Sequence, residues 1–383
     1  MKTVRLGDVT EVVSGGTPKT SVSEYWGGEI PWATPKDLSE QKAQYISSTS
    51  RTITQAGLDR SSAVLLPRKS VLLSSRAPIG LVAINTVDMA TNQGFKSLVP
   101  DSSKLDYRYL YHWMKANVER MVSLGVGATF KEISKKVVSN VEIPLPSLAE
   151  QRRIAGILDA ASAGVAGAEI ILDRIEQAPV EVFRRLFHNF PSIPLGSVAQ
   201  LKSGSTPSKD RGELWDGDFP WFTAKDFKSS TLAGSLDRIA PPEVSAPRVP
   251  AAPAGSVLCV VRGMILAHTF PVSKILVEGS FNQDVKWLRV DQREVLADFL
   301  LWGLRSKASW VLDRAETSAH GTKRIPTNVL LEVSIPRASI SEQDEFKMII
   351  QKISEVKERA REVLKRRREL FSALQYRAFR GEL

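Results

Sequence analysis

Cysteine is almost absent from this chain. Cys259 is the only one in 383 residues, so neither a disulfide framework nor a thiolate metal cluster can be assembled. Its place in the apolar run VLCVV marks a buried core thiol. Histidine is nearly as scarce: His112, His188, His268 and His320 are scattered, without the paired spacing of metal ligands, and no metal centre is expected. No G-x-x-x-x-G-K-S/T loop occurs, so SGGTP and SGSTP read as turns, which removes an ATP motor. Pro241-Pro242 lacks the flanking Asn or Asp and aromatic of an adenine methyltransferase. Pro100-Asp101 lacks the downstream acidic-x-Lys of a nuclease. No apolar run approaches about 18 residues, so no membrane span is expected, and MKTVRLGDVTEVV has no signal-peptide core. The expectation is a cytoplasmic protein that binds without catalysing.

What is present is positive charge and a repeat. The formal net charge is +10 with 43% hydrophobic and 25% charged residues, which suits a globular chain of two or three domains with a polyanionic partner, nucleic acid first among them. The segment from Leu6, LGDVTEVVSGGTPKTSVSEYWGGEIPWATPKDL, aligns at constant offset with LGSVAQLKSGSTPSKDRGELWDGDFPWFTAKDF from Leu195. It pairs Ser14-Gly15 with Ser203-Gly204, Thr17-Pro18 with Thr206-Pro207, Trp26 with Trp215, Pro31-Trp32 with Pro220-Trp221, and Lys36-Asp37 with Lys225-Asp226. Asn92-Gln93 matches Asn282-Gln283, TFKEI from Thr129 parallels GTKRI from Gly321, and Glu150-Gln151 matches Glu342-Gln343. The chain is two copies of one unit.

Short runs such as AVLLP, SVLLSS, LVAI, SVLCVV and SKILV read as strands between Gly and Pro punctuation. The segments from Asp106 and from Leu296 read as helices, making each copy a mixed α+β body. Residues 39–69 and 228–255 differ between copies, so one frame carries two variable surfaces.

A long helix closes each copy. Ile154, Leu158, Val165, Leu172 and Ile175 form an a/d seam, as do Phe346, Ile349, Ile353, Val356, Val363 and Leu370. Ser147 with Glu150, and Ser339 with Glu342, fit the S-x-x-E capping box. Gly156, Gly164 and Gly167 weaken the first helix, and Pro179 should end or kink it, leaving PVEVFRRLF as a separate piece. Two matched seams suggest an antiparallel pair. The seams run roughly 32 and 42 Å at 1.5 Å per residue, comparable with one turn of B-DNA, about 34–36 Å. Lys365-Arg366-Arg367-Arg368 reads as a solvated face, with phosphate or an acidic partner as the other reading.

Two bodies, each followed by a helix opening IPLPSLAEQRRIAGILD or its echo, with the G-x-TP turn, the PW strand and the NQ pair in both, resemble the DNA-specificity subunit of type I restriction-modification systems. The second copy departs from the pattern, with Phe346 where Ile154 stands. The resemblance implies an α+β fold with pseudo-two-fold internal repeat: two similar target-recognition domains, 1–146 and 191–338, separated by a long antiparallel two-helix coiled coil from spacer regions 147–190 and 339–383. It implies a non-catalytic subunit whose two domains each read one half of an asymmetric bipartite site on double-stranded DNA. The paired helices would set the unread spacer and dock two methylation subunits. S-adenosylmethionine, ATP and Mg would belong to those and to two restriction subunits, with no cofactor in this chain. The competing reading is a freestanding DNA-binding architectural or regulatory protein that self-associates through its coiled coil.

Candidate phosphate contacts are Lys36, Arg76, Lys96 and Lys131, with Lys225, Arg262, Lys286, Lys323 and Arg324 in the second copy. Against this, Lys36-Asp37 could cap a turn, Arg76 and Arg262 could brace a strand, and Asn92-Gln93 could satisfy backbone. Trp32 and Trp221 read as core. Base-reading candidates in the dissimilar segments are Gln41, Gln44, Arg51 and Gln55, then Lys228, Arg238 and Arg248, whose donors suit major-groove edges.

Overall fold

The computed structural model describes residues 2–41, 43–127, 131–241, 249–317 and 321–383. Thr129, Phe130, Arg248 and His320, singled out above, lie outside the described residues. The chain divides into two compact units, Met1–Glu169 with Glu362–Leu383, and Ile170–Arg361.

The first unit is built on a five-stranded sheet in the order Thr10–Ser14, Lys96–Pro100, Val71–Ser75, Ile79–Asn85, Tyr45–Ile46. The second repeats it with Ala199–Ser203, Val285–Val290, Val257–Val260, Val272–Ile275 and Thr231–Leu232. In each, four strands are antiparallel and the last is added in parallel. A smaller sheet is centred on Trp26–Ala33 in one unit and on Phe219–Phe222 in the other. Of the expected strands, AVLLP does not form: Leu66 makes only an isolated bridge with Met89. Val71, Leu72, Leu73 and Ser74 are all buried, as are Val257 to Val260, which is why these runs lack the alternation of a one-faced strand.

The repeated motifs form the same turns twice. Trp32 Nε1 donates to Gly16 O at 2.9 Å and Trp221 Nε1 to Ser205 O at 3.1 Å. Trp26 meets Trp32 edge to face at 5.0 Å between ring centroids, and Trp215 meets Trp221 at 5.1 Å. A Cβ on Gly15 would lie 1.9 Å from Asn92 O, and one on Gly204 would lie 2.0 Å from Phe281 O. Only glycine permits that backbone approach. Trp32 and Trp221 are therefore core, as expected, with Trp26 and Trp215 half-buried against them, and the G-x-TP segments are structural turns.

The expected helices form as Tyr107–Ala116 and Ala297–Ser306. Asp106 caps the first, accepting from Arg108 N and Tyr109 N, and the second begins at Leu296 without a side-chain cap. Gln151 and Gln343, almost fully buried, lock these helices to the long ones. Gln151 Oε1 accepts Asp106 N while its Nε2 donates to Lys104 O and Pro146 O. Gln343 makes the same three bonds with Leu296 N, Glu294 O and Ala338 O. The capping box closes fully only at Ser339, where Glu342 returns a bond to the Ser339 amide. At Ser147 the hydroxyl caps Glu150 N, but the carboxylate turns to Arg153.

The long helices are Leu148–Phe187 and Ile340–Ala378. The first runs through Pro179, correcting the expected break. Past the missing hydrogen bond, Phe183 and Phe187 enter the core of the second unit against Phe299 and Phe346, and this packing carries the helix across the proline. The pairing is antiparallel within each unit. In the first, Arg368 Nη2 lies 2.6 Å from Glu169 Oε1 and Arg367 Nη1 donates to Gly164 O at 2.5 Å. In the second, Lys357 Nζ lies 2.8 Å and Arg361 Nη2 3.3 Å from Glu176 Oε1.

The seam of the first long helix is as expected, with Ile154 and Leu158 buried and Val165, Leu172 and Ile175 half-buried. That of the second needs correction beyond Ile353. Val356, Val363 and Leu370 are 50%, 46% and 57% exposed, whereas Leu364 is 7% exposed and Phe371 and Leu374 pack on the first core. The inward positions step from Ile353 through Lys357, Ala360, Leu364, Arg367 and Phe371 to Leu374. Two of these are cations satisfied across the pair by Glu176 and by the Gly164 carbonyl.

The expectation of no long apolar stretch also needs correction. The helix Leu148–Phe187 contains an 18-residue window of mean hydropathy 1.5, apolar enough by length and composition to cross a membrane. Between Arg153 and Asp173 its only charges are Asp159 and Glu169, and both are paired within the first unit. Long helices packed on protein reach the same composition.

Asp159 joins the first body to its helix. It accepts from His112 Nε2 at 2.7 Å, Gln44 Nε2 at 2.9 Å and Arg108 Nη1 at 3.1 Å. Burial holds the His112 pKa below its ordinary 6.5 despite the bond to Asp159, so the ring is neutral and donates. Burial pushes the Asp159 pKa up, but the bonds from Gln44 and His112 and the Arg108 charge bring it below its usual value. Both groups bind protons more readily unfolded than folded, so their contribution is complete above about pH 6.5 and falls as the solution is acidified. The urea midpoint of the full chain should drop between about pH 7.5 and 5.5, and His112→Phe should flatten that drop. An equally steep drop in the variant contradicts this assignment.

Candidate nucleic-acid interface

The structure brings several of the nominated cations together in each unit. At the end of strand Val71–Ser75, Arg76 bridges antiparallel to Glu132, whose neighbour Lys131 is exposed. Arg76 Nη1 lies 3.9 Å and Lys96 Nζ 3.2 Å from the Glu132 carboxylate. The turn Asn92–Gly94 lies alongside: Asn92 Oδ1 accepts Gly94 N, and a Cβ on Gly94 would sit 3.6 Å from Arg76 Cγ. Thr17 Oγ1 bonds Gln93 Oε1, joining the G-x-TP turn to the same place.

The second unit builds the equivalent patch with more positive charge. Arg262 bridges antiparallel to Arg324 where Arg76 meets Glu132, and Lys323 takes the place of Lys131. Arg262 Nε lies 4.0 Å from Asp284 Oδ1, Lys286 bonds Ser203 Oγ, and Thr206 Oγ1 bonds Gln283 Oε1 at 2.5 Å. The strand Lys323–Arg324 pairs antiparallel with Glu316–Thr317, which holds both cations on a paired strand. Exposed cations fixed on turns and paired strands suit phosphate contact, because little side-chain and backbone freedom remains to be lost.

Not every nominated residue is available. Lys96 is 8% exposed and committed to Glu132, so it braces the patch from beneath, a correction to its nomination as a phosphate contact. Lys36 and Lys225 are exposed and each lies near a carboxylate, Glu40 at 3.5 Å and Asp237 at 4.0 Å. Their neighbours are structural: Asp37 Oδ2 accepts Thr34 N and Oδ1 accepts Ser50 N, and Asp226 does the same for Thr223 N and Leu236 N. Burial alone would raise the Asp37 pKa, yet these bonds hold it below its ordinary value.

The base-reading candidates divide further. Gln44 is spent on Asp159, so it faces the long helix, which corrects that nomination. Lys228 is exposed and lines a cleft against the long helices of the second unit. Gln55 bonds Asp59 one helical turn away, and Gln41 donates to Ser48 O, both at the surface. Arg238 is held by Asp218, through its carbonyl at 3.2 Å and its carboxylate at 3.5 Å. Arg51 is exposed with its guanidinium 3.6 Å over the Trp26 ring, a stacked arginine whose in-plane donors remain at the surface. Sequence reasoning missed Glu132 and Asp284, which neutralise part of each patch. The change of Glu132 in TFKEI to Arg324 in GTKRI carried that signal.

The described residues hold no group of three or more His, Cys, Asp or Glu placed to bind a metal. Cys259 is buried, as expected, and burial pushes its thiol up to about 12.

Residues 1–177 match the family model described as the type I restriction modification DNA specificity domain. The chain is 37% identical over 259 residues to the type I restriction enzyme MjaIX specificity subunit of Methanocaldococcus jannaschii, covering 61% of this chain and 60% of that one. It is 27% identical over 282 residues to the EcoR124I/EcoR124II specificity subunit of Escherichia coli, covering 70% and 69%. The match thus spans about 60% of the length of the Methanocaldococcus relative. Among solved structures, a chain from a study of type I R-M complex assembly and conformational transition superposes with TM-score 0.66 at 19% identity, covering 100% of this chain and 98% of that one. The type I restriction-modification S subunit from M. genitalium superposes with TM-score 0.52 at 15% identity, covering 99% and 96%. Residues 1–177 are thus similar to the type I restriction modification DNA specificity domain, the curated relatives are specificity subunits, and the second copy repeats the sheet order of the first.

Proposed function

We propose that this chain is the sequence-reading, non-catalytic subunit of a type I restriction-modification complex, with each unit reading one half of a bipartite site in double-stranded DNA. The observation that carries the reading is a basic patch built twice on one frame, Arg76 with Lys131 and Arg262 with Lys323 and Arg324, beside segments that differ between the copies. Equivalent cations position each body on phosphate, and unlike surfaces read unlike bases. Partner subunits supply the methyl donor S-adenosylmethionine and, for cleavage, ATP and Mg. The paired long helices present their docking surface and set the DNA left unread between half-sites. A pocket for an extruded adenine belongs to the methylation subunit.

Lys131→Ala and Lys323→Ala test the patch. Each should weaken binding to specific and non-specific duplex alike, and each should lower the slope of log K against log salt by about one. An unchanged slope contradicts phosphate contact. Co-expression with a methylation subunit separates this reading from a freestanding architectural or regulatory protein: the first requires a stable complex with two methylation subunits, the second a self-contained homodimer.

A further inference from the structure

The two units differ most instructively where the body meets the long helices. Gln151 and Gln343 fix which residues correspond: each receives the amide that starts the ten-residue helix, Asp106 N or Leu296 N. Counting along both helices from these anchors, His112 corresponds to Trp302, Arg108 to Asp298 and Asp159 to Gln351. Gln44 corresponds to Ser230, because their carbonyls accept equivalent strand amides, Ile84 N and Lys274 N.

In the first unit this junction is filled, with the Asp159 carboxylate receiving Gln44, Arg108 and His112. In the second it is an open cleft of about 490 Å³ lined by Trp302, Gln351, Ser230 and Asp298 among others. Trp302 is 5% exposed and its Nε1, the counterpart of the His112 donor, is buried with no acceptor among the described residues. Asp298, unlike Arg108, is paired with Lys274 at 2.5 Å. Arg305, also lining the cleft, has only the Val272 carbonyl for its Nε, and burial lowers its pKa to about 10. Lys228 and Lys347 line the cleft too, with no ion pair among the described residues. Arg305 is half-buried, with its guanidinium carbon 5.3 Å from the Trp302 ring centroid and no ion pair among the described residues.

We propose that this cleft of the second unit binds a small anionic molecule whose carboxylate or phosphate group pairs with Arg305 beside the Trp302 ring, where the first unit carries its own Asp159. The volume is that of a nucleotide-sized ligand. Lys228 and Lys347 at the wall complement a second charge, so a phosphate monoester fits better than a monocarboxylate. The site takes a free ligand and does not depend on the reading of DNA.

The test uses the full chain labelled with 15N-tryptophan, which gives eight indole signals, with Trp302 assigned from Trp302→Phe. Adenosine monophosphate, inorganic phosphate and glutamate are titrated separately to roughly 10 mM, ten times a millimolar Kd. The Trp302 signal should move and saturate with the nucleotide while the other seven stay still. Saturation by inorganic phosphate alone identifies the phosphoryl group as the bound part, and saturation by glutamate alone identifies a carboxylate. Gln351→Asp restores the carboxylate of the first unit and should weaken binding at least about tenfold without unfolding the chain. Lys228→Ala with Lys347→Ala, at the surface, should weaken it while leaving the Trp302 signal of the free chain in place. A Trp302 signal unmoved by all three probes overturns the proposal. So does a signal that moves only when a partner protein is added, or movement of all eight together.

Discussion

Phe346→Ala is expected to remove about 3–5 kcal/mol of stability, the usual range for emptying a buried phenylalanine site. Phe346 is fully buried, with ring centroids 5.3 Å from Phe183, 5.7 Å from Phe187 and 6.4 Å from Phe299. It is the stitch between the start of the second long helix, the end of the first and the second body. The first copy has the smaller Ile154 at this position, in one core with Leu158 and Ala155 against which Phe371 and Phe379 pack. Phe346→Leu should recover more than half of the loss. Urea unfolding with two probes, tryptophan fluorescence and far-ultraviolet circular dichroism, measures it. A loss below about 1 kcal/mol, the level of a surface change, contradicts the packing described for this cluster.

The repeat was legible because it is written in turn chemistry. Ser-Gly-x-Thr-Pro, the two tryptophans and Thr-x-x-Asp each satisfy specific backbone groups, and Gly15 and Gly204 tolerate no side chain at all, so both copies keep them at one offset. Gln151 and Gln343 are visible in the sequence only as a matched pair; two of the three hydrogen bonds that each makes reach segments more than 40 positions away in the chain. The seam of the second long helix was misread because apolar residues recur one position off the true stripe. Val356, Val363 and Leu370 keep the heptad spacing but face outward, while Lys357 and Arg367 turn inward to Glu176 and the Gly164 carbonyl. Periodicity counts apolar residues and has no means of crediting a cation with a partner on another helix. Pro179 was overvalued for the same reason, since its cost is local and the aromatic packing that offsets it is not.

The candidate interface was legible in part. Arg76, Lys131, Arg262, Lys323 and Arg324 were chosen because they recur, and in each unit they come together at the end of one strand. Lys96 recurs too, yet it is buried, because recurrence marks any residue the frame needs, including those that brace it. Gln44 and Lys228 were chosen from variable segments, and both face the long helices. Variability between copies thus arises at two surfaces, the outer face of the body and its junction with the helices, and sequence alone does not separate them. The junction is also where the first unit spends a carboxylate and the second leaves a cleft.

On the proposed function, two bodies on one frame read two half-sites independently. Methylome sequencing tests this in cells carrying the native chain and in cells in which residues 1–142 are exchanged for the first body of a type I restriction enzyme specificity subunit. The expected result is a complete change of sequence in one half of the methylated site, with the other half and the spacing unaltered. The effect should be large: mismatched base pairs cost about 1–3 kcal/mol each and add across a half-site, so the original half-site should be lost from the methylome. A change in both halves, or methylation at the original site, contradicts the account.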